Sequence, residues 1–215
     1  MYEKEILQIY KKCHIQRFPI DCFWIMNCMD FRLTTYSILI EANEELSFLR
    51  NNSSDAITIV DTKETFYNDR KDRKRIRFTL MHELGHIVLN TKDEDEADNF
   101  AAEILAPINI AVWKNLRTAD VISRYFDISI SAANRLVYKI NNHLYPEDDS
   151  LIRYFSEDHI VKSRSVRIDR EYRALPHEDI FLQYAERDRA LRDKHGPDLY
   201  WDLILDRLER EQLRF

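Results

Sequence analysis

Glycine is almost missing from this 215-residue chain: Gly85 and Gly196 are the only two. Phosphate-cradling loops and dinucleotide-binding fingerprints need several glycines within a few residues, so both are excluded. Cysteine is nearly as scarce. Cys13, Cys22 and Cys28 are odd in number, confined to the N-terminal region and without C-x-x-C spacing, which argues against a disulfide framework or a cysteine zinc site and reads them as small hydrophobes. No apolar run approaches the roughly 18 residues needed to span a bilayer, and Met1-Tyr2-Glu3-Lys4-Glu5 shows no signal-peptide h-region. A cytoplasmic location with no membrane partner is therefore expected. An excess of basic residues is also lacking, since the net charge is −6; direct nucleic-acid binding is not expected. What the chain does have is 45% hydrophobic and 33% charged residues, enough apolar surface to bury a core within one generous domain or a domain plus an appendage.

Glu3 to Lys12 carries Ile6, Leu7, Ile9 and Tyr10 at spacings that suit a short helix. A mixed stretch follows, ending in Ser37-Ile38-Leu39-Ile40. Ala56-Ile57-Thr58-Ile59-Val60 is rich in β-branched residues and reads as a strand, Thr65 to Asn68 as a second, and Asp61 to Glu64 as the turn of a hairpin. The basic cluster Arg70, Lys71, Arg73, Lys74, Arg75 and Arg77 reads as a solvated helix start. From Ile76 to Leu89 both helical faces are apolar, so that helix is buried on most of its circumference, and Asn90 can end it in the left-handed conformation. Asp93 with Glu96 three residues on forms a capping box. Ala97, Phe100, Ala101, Ile104 and Leu105 then trace a core-facing stripe closed by Pro107.

Two further helices are expected at 119–126 and 130–141, with Thr118 and Ser129 as N-caps. Their helix-turn-helix outline lacks a basic recognition face and reads as packing rather than DNA reading. Pro146 to Ser150 is the best linker candidate, and 180–193 and 198–213 look like charged amphipathic helices. The domains expected are residues 1–110 as the core, 111–145 as the helix-turn-helix-like segment and 146–215 as a helical extension.

Within the buried helix stands His82-Glu83-Leu84-Gly85-His86. Residues four apart share a helix face, so His82 and His86 can bind one cation together, while Glu83 lies about 100° round from His82, beside the open position of such a metal. That arrangement reads as a zinc hydrolase with Glu83 as the proton-transferring residue. Gly85, on the same side as the histidines, is expected to leave steric room beside the metal. The third ligand must come from Asp93, Glu94, Asp95, Glu96 or Asp98. Glu94 and Asp98 share the apolar face with Ala97 and Ala101, and a charge on that face needs a partner, so Glu94 is the expected ligand. Asp98 would accept the outer N–H of a ligating histidine. Glu96 points away with Glu103 and its capping role explains it, but it remains the alternative ligand.

The run Arg75-Ile76-Arg77-Phe78-Thr79-Leu80-Met81-His82-Glu83-Leu84-Gly85-His86, followed by Glu94-x-x-Ala97-Asp98-x-Phe100-Ala101-Ala102-x-Ile104-Leu105-x-Pro107, closely resembles the ImmA/IrrE family of metallo-endopeptidases. Both halves of the family's pattern, R-F-T-x-x-H-E-x-G-H and E-x-x-A-[ND]-x-F-A-x-x-L-L-x-P, occur in order. The resemblance covers about residues 55–140 well, the N-terminal 50 loosely and the region after about 145 not at all. It implies an α+β, zincin-like core with a small N-terminal sheet packed on the H-E-x-x-H helix. It implies a gluzincin-like zinc protease with ligands His82, His86 and Glu94 and catalytic Glu83. It further implies a bacterial, phage or mobile-element protein that cleaves a helix-turn-helix repressor and so releases the genes that repressor controls.

A substrate strand could pair with the edge of the Thr65–Asn68 strand, making Tyr67 and Asn68 substrate-contact candidates. Tyr67 and His143 are the residues considered for stabilising an oxyanion. The competing function is a zinc-holding binding module or toxin-antitoxin partner that acts without proteolysis.

Overall fold

Asp72 accepts the backbone N–H groups of Lys74 and Arg75, and from that cap the chain winds through α4 (Arg73–Leu89) until Asn90, at φ 50° and ψ 44°, turns it out in the left-handed conformation. A computed structural model describes residues 2–42, 44–50, 55–145 and 148–157. The chain divides into two compact units, Met1–Glu157 and Asp158–Phe215, and the described residues all belong to the first. The helices expected at 180–193 and 198–213 lie outside them, as do Pro146 and Glu147 of the linker candidate.

The class is mixed α+β and mostly helical. In order come α1 (Glu3–Lys12), α2 (Cys22–Cys28), β1 (Arg32–Thr35), α3 (Tyr36–Ala42), a 3-10 helix (Glu44–Arg50), β2 (Ala56–Ile59) and β3 (Glu64–Tyr67). After α4 follow α5 (Glu94–Leu105), α6 (Ile108–Trp113), α7 (Ala119–Phe126), α8 (Ile130–Asn141) and α9 (Ser150–Glu157). The stretch ending in Ser37–Ile40 belongs to α3, and α2 and β1 arise where the sequence shows no clear period. Among the described residues, no helix is long and apolar enough to cross a membrane.

The sheet order is β1-β3-β2, with β1 parallel and β2 antiparallel to β3. This corrects the expectation that the Thr65–Asn68 strand offers a free edge. Asp61–Lys63 does close the β2–β3 hairpin, but β1 occupies the other side of β3, so the edges belong to β1 and β2. Recruitment of β1 rests on a buried ion pair: Arg32 and Glu64 are register partners across the ladder and their side chains meet, with Thr62 Oγ1 donating to the same carboxylate at 3.0 Å. A charge pair this buried is tolerated because each partner neutralises the other. The pleat then sorts the faces. Leu33 and Tyr67 pack against the main core, whereas Ile57 and Phe66 are buried outside it, as are Leu39, Leu46 and Leu49 of α3 and the 3-10 helix.

The main core gathers Ile6, Tyr10, Ile25 and Met26 of α1 and α2, Leu80, Met81 and Leu84 of α4, Phe100, Ala101 and Ile104 of α5, and Ile122, Phe126, Ala133 and Ile140 of α7 and α8. Each large side chain buried this fully contributes about 1.5–3 kcal/mol. Both caps expected for α7 and α8 form, Thr118 accepting from Val121 N and Ser129 from Ala132 N.

The basic cluster is only partly the solvated helix start expected of it: Arg70, Lys71, Arg73 and Arg75 are exposed, whereas Lys74 is half-buried and Arg77 buried. Arg77 is buried and donates from Nη1 to the Ile20 carbonyl at 2.7 Å and from Nη2 to the Phe126 carbonyl at 3.2 Å. Lys74 Nζ donates to Ser123 Oγ at 3.2 Å and to the Ile128 carbonyl at 2.8 Å, and Lys71 and Arg75 both pair with Asp55. These cations fasten α4 to the α7–α8 turn, to the segment before α2 and to the start of β2, and Arg77 supplies the donors for the Ile20 and Phe126 carbonyls. Arg77→Met should therefore destabilise the protein by about 2–4 kcal/mol in denaturant unfolding, because it orphans those carbonyls; a neutral substitution would contradict the clamp.

Gly85 also has a different cause from the one its place in the motif suggests. A Cβ built there would stand 3.2 Å from Ala97 Cα, 3.2 Å from Ala97 O and 3.2 Å from Phe100 Cδ1. The glycine permits α4 and α5 to approach; it does not make room for an ion. Gly85→Ala sets roughly 1 kcal/mol of regained helix propensity against an overpacking cost of roughly 1–3 kcal/mol. Ala97 is fully buried backbone that cannot yield easily, so a net loss of about 1 kcal/mol is expected by denaturant titration, and a more stable variant would contradict the close-packing account.

Candidate metal centre

His82 and His86 rise one turn apart on α4, their ring centroids 4.6 Å apart and the rings nearly perpendicular at 83°. Each outer nitrogen is engaged. His82 Nδ1 lies 2.7 Å from Asp98 Oδ1, and His86 Nδ1 lies 3.0 Å from the Thr91 carbonyl oxygen. A carboxylate and a carbonyl can only accept, so both Nδ1 atoms carry a proton, and in the neutral rings each Nε2 presents a lone pair.

Those lone pairs converge. His82 Nε2 and His86 Nε2 are 3.0 Å apart, and Glu94 brings its carboxylate to 3.1 Å from the first and 3.6 Å from the second. Ligand atoms about 2.0–2.1 Å from one tetrahedral ion stand about 3.3–3.4 Å from each other, which these separations bracket. Two imidazole lone pairs and a carboxylate repel one another unless a cation lies between them. Among the described residues, His82, His86 and Glu94 are the group of His, Cys, Asp and Glu side chains able to hold a metal ion. The side chain of Glu94 is 74% exposed against 16% and 23% for the histidines, so the group opens to solvent on the α5 side. A fourth ligand position is accessible there, as a catalytic rather than a structural site requires.

The short turn between α4 and α5 makes this possible. Asp93 caps α5 by accepting from Glu96 N at 3.1 Å, while its own N–H donates to Thr91 Oγ1 at 3.1 Å. The capping box is thus half formed: Glu96 supplies its backbone N–H, and the hydroxyl of Thr91 replaces its side chain at the Asp93 amide. Glu96 is exposed and outside the converging group. Glu94 opens the helix, and one turn later Asp98 reaches His82, so the two acids use one face of α5 as their spacing implies. Both are more exposed than the apolar face on which they were expected.

Glu83 is half-buried on α4 next to His82. Tyr67 is half-buried, with its ring 5.8 Å from that of Phe23 and its hydroxyl pushed upward in pKa by burial and by the charge of Asp69. Asn68 is buried and accepts from Arg70 N at 3.1 Å, the geometry of a side-chain turn. His143 lies beyond α8, its Nδ1 3.4 Å from the Tyr145 hydroxyl. None of the three belongs to the converging group. Two neighbours of the centre escape the sequence: the Thr91 carbonyl, a backbone atom with no side-chain signature, and Phe78, one turn before His82 with ring centroids 6.4 Å apart.

Compared with known families, this stretch of chain matches peptidase M78, described as the IrrE N-terminal-like domain. The match runs over residues 42–137, somewhat less than half of the chain. No curated protein matches the chain. The matching stretch takes in β2, β3, all of α4 to α7 and the start of α8, and with them His82, Glu83, His86, Glu94 and Asp98. The matching family is one of peptidases, which supports a peptidase-type activity, and the ImmA/IrrE-like motif and the family match fall on the same segment.

Zinc titration by competition with a chromophoric chelator should show one tight site. Asp98→Ala is expected to weaken it about 10–100-fold, Glu94→Gln at least as much, and Glu96→Gln not measurably. Weakening by Glu96→Gln with Glu94→Gln unaffected would reverse the ligand assignment.

Proposed function

We propose that this chain is a zinc-dependent endopeptidase of the cytoplasm whose substrate is a helix-turn-helix transcriptional repressor, so that cleavage derepresses the genes of a mobile element, prophage or stress regulon. The observation that carries the reading is the convergence of His82 Nε2, His86 Nε2 and a Glu94 carboxylate oxygen. Two imidazoles and one carboxylate with an open fourth position are a catalytic zinc set. The repressor as substrate rests on the motif resemblance to ImmA/IrrE proteins.

Zinc bound there would polarise the scissile carbonyl and bring the pKa of a water towards about 7. The chain's own residues do the rest. Asp98 and Thr91 fix the Nδ1–H tautomer of each histidine, which keeps both Nε2 lone pairs directed at one point. Glu83, one residue round the helix, takes the proton of the attacking water and returns it to the leaving amine.

Incubation of the purified chain with the helix-turn-helix repressor encoded beside it should yield a fragment that a chelator abolishes. Glu83→Gln is expected to retain zinc and lose about 10²–10⁴-fold in kcat/KM, the usual share of acid–base catalysis. Full cleavage by that variant would overturn the mechanism, and tight repressor binding without any fragment would favour a module that holds zinc and does not cut.

A further inference from the structure

Helix α8 buries Ala133 and Ile140 in the core and keeps Leu136 and Val137 half-buried against it, while Asn134, Arg135, Tyr138 and Lys139 are exposed. The end of the helix shapes that exposed face. His143 takes the left-handed conformation at φ 53°, its N–H donates to the Ile140 carbonyl at 3.2 Å, and the Leu144 N–H reaches back to the Lys139 carbonyl at 2.9 Å. Such an end commonly packs the residue after the left-handed one against an apolar residue of the last helical turn. Here that position holds Lys139, and Leu144 stays 58% exposed. With Tyr138, 63% exposed, it walls a groove of about 390 Å³ lined by Asn134, Arg135, Tyr138, Lys139 and Leu144. Large apolar side chains grouped on a surface mark an interaction site, whereas scattered ones need no explanation.

The charge on this face has one sign. No acidic residue occurs in α8, and Arg135 and Lys139 stand one turn apart on either side of Tyr138. Exposed arginines of other helices are matched one turn away, Arg124 by Asp120 and Arg153 by Asp149. Among the described residues neither Arg135 nor Lys139 has an ion-pair partner. The chain carries a net charge of −6, so a groove edged by cations alone departs from the balance of the whole.

We propose that the α8 groove docks an acidic amphipathic helix of a partner protein. Apolar side chains from one face of that helix fill the space between Tyr138, Leu144 and the aliphatic stems of Arg135 and Lys139. Carboxylates one turn apart on the partner then pair with Arg135 and Lys139, which are one turn apart themselves. Charge complementarity selects the acidic partner, and the Tyr138 and Leu144 walls select an amphipathic one. Duplex DNA fits less well, because a phosphate backbone is tracked by cations spread along a face, whereas these two flank an apolar groove and Arg124 of α7 is already paired. The groove shares no residue with the metal centre and stands independently of the peptidase reading.

The test records amide NMR correlation spectra of the isotope-labelled full-length chain with a synthetic peptide of about 15 residues, long enough to form a helix, with leucine on one face and glutamate on the other. Shift changes centred on Asn134, Arg135, Tyr138, Lys139 and Leu144 are expected, and the affinity should fall at least about tenfold in R135E/K139E and in Y138A. The three substituted side chains are exposed, so both variants should keep the wild-type melting temperature. R135E/K139E should gain binding to the same peptide with lysine in place of glutamate, a rescue that misfolding does not produce. The proposal is overturned by the absence of shift changes with the glutamate peptide, by equal affinity in R135E/K139E, or by equal binding of a peptide of scrambled order. Duplex DNA held through Arg135 and Lys139 would contradict it by assigning the face to nucleic acid, and a concentration-dependent dimer that buries Tyr138 would contradict it by assigning the face to a second copy of the chain.

Discussion

Helices α4 and α5 meet so closely at Gly85 that one methyl group would press on Ala97 and Phe100 at 3.2 Å, and the metal centre depends on that contact. A glycine inside a helix costs about 1 kcal/mol relative to alanine. Burial of Leu84, Phe100 and Ile104 between the helices contributes about 1.5–3 kcal/mol for each side chain, so packing outweighs propensity. The approach sets the distance at which Glu94 and Asp98 stand over His82 and His86. With a larger residue at position 85 the acids would ride outward, and the carboxylate would no longer reach two Nε2 atoms at once.

The centre is preorganised by pieces of differing chemical kind. Asp98 and the Thr91 carbonyl each hold one imidazole by its Nδ1–H, and Asn90 in the left-handed conformation turns the chain so that Thr91 faces back towards His86. Asp93 caps the next helix only one residue before Glu94. A turn this short leaves little freedom, so rotamers, tautomers and ligand separations are set by the fold rather than by an arriving ion. Behind it, Arg77 and Lys74 tie α4 to the α7–α8 turn, which makes the helix-turn-helix-like pair part of the support of the metal helix.

Much of this was legible in the residues. Periodicity located α1, α4, α5, α7 and α8, and N-cap chemistry found Asp93, Thr118 and Ser129, because helix caps are local and carry their own side-chain signal. Long-range causes were not legible. The free edge expected for Thr65–Asn68 disappears because an Arg32–Glu64 pair, thirty-two residues apart, brings β1 alongside. Two members of the basic cluster mislead for the same reason: Arg77 and Lys74 look solvated until distant carbonyls arrive to accept from them, while Arg70, Lys71, Arg73 and Arg75 are exposed as their sequence suggests. Gly85 stands out in the sequence by its rarity, but its cause is the close approach of Ala97 and Phe100 on the following helix, which spacing alone does not show. Spacing indicated that Glu94 and Asp98 share a face; the turn geometry that separates Glu94 from Glu96 came only with the fold.

Anomalous diffraction from crystals of the zinc-loaded protein, collected on either side of the zinc edge, tests the central claim most directly. One peak is predicted, about 2.0–2.2 Å from His82 Nε2, His86 Nε2 and a Glu94 carboxylate oxygen, with the Asp98 and Thr91 contacts intact. A peak ligated by Glu96 in place of Glu94, or zinc bound away from the two histidines, would contradict it.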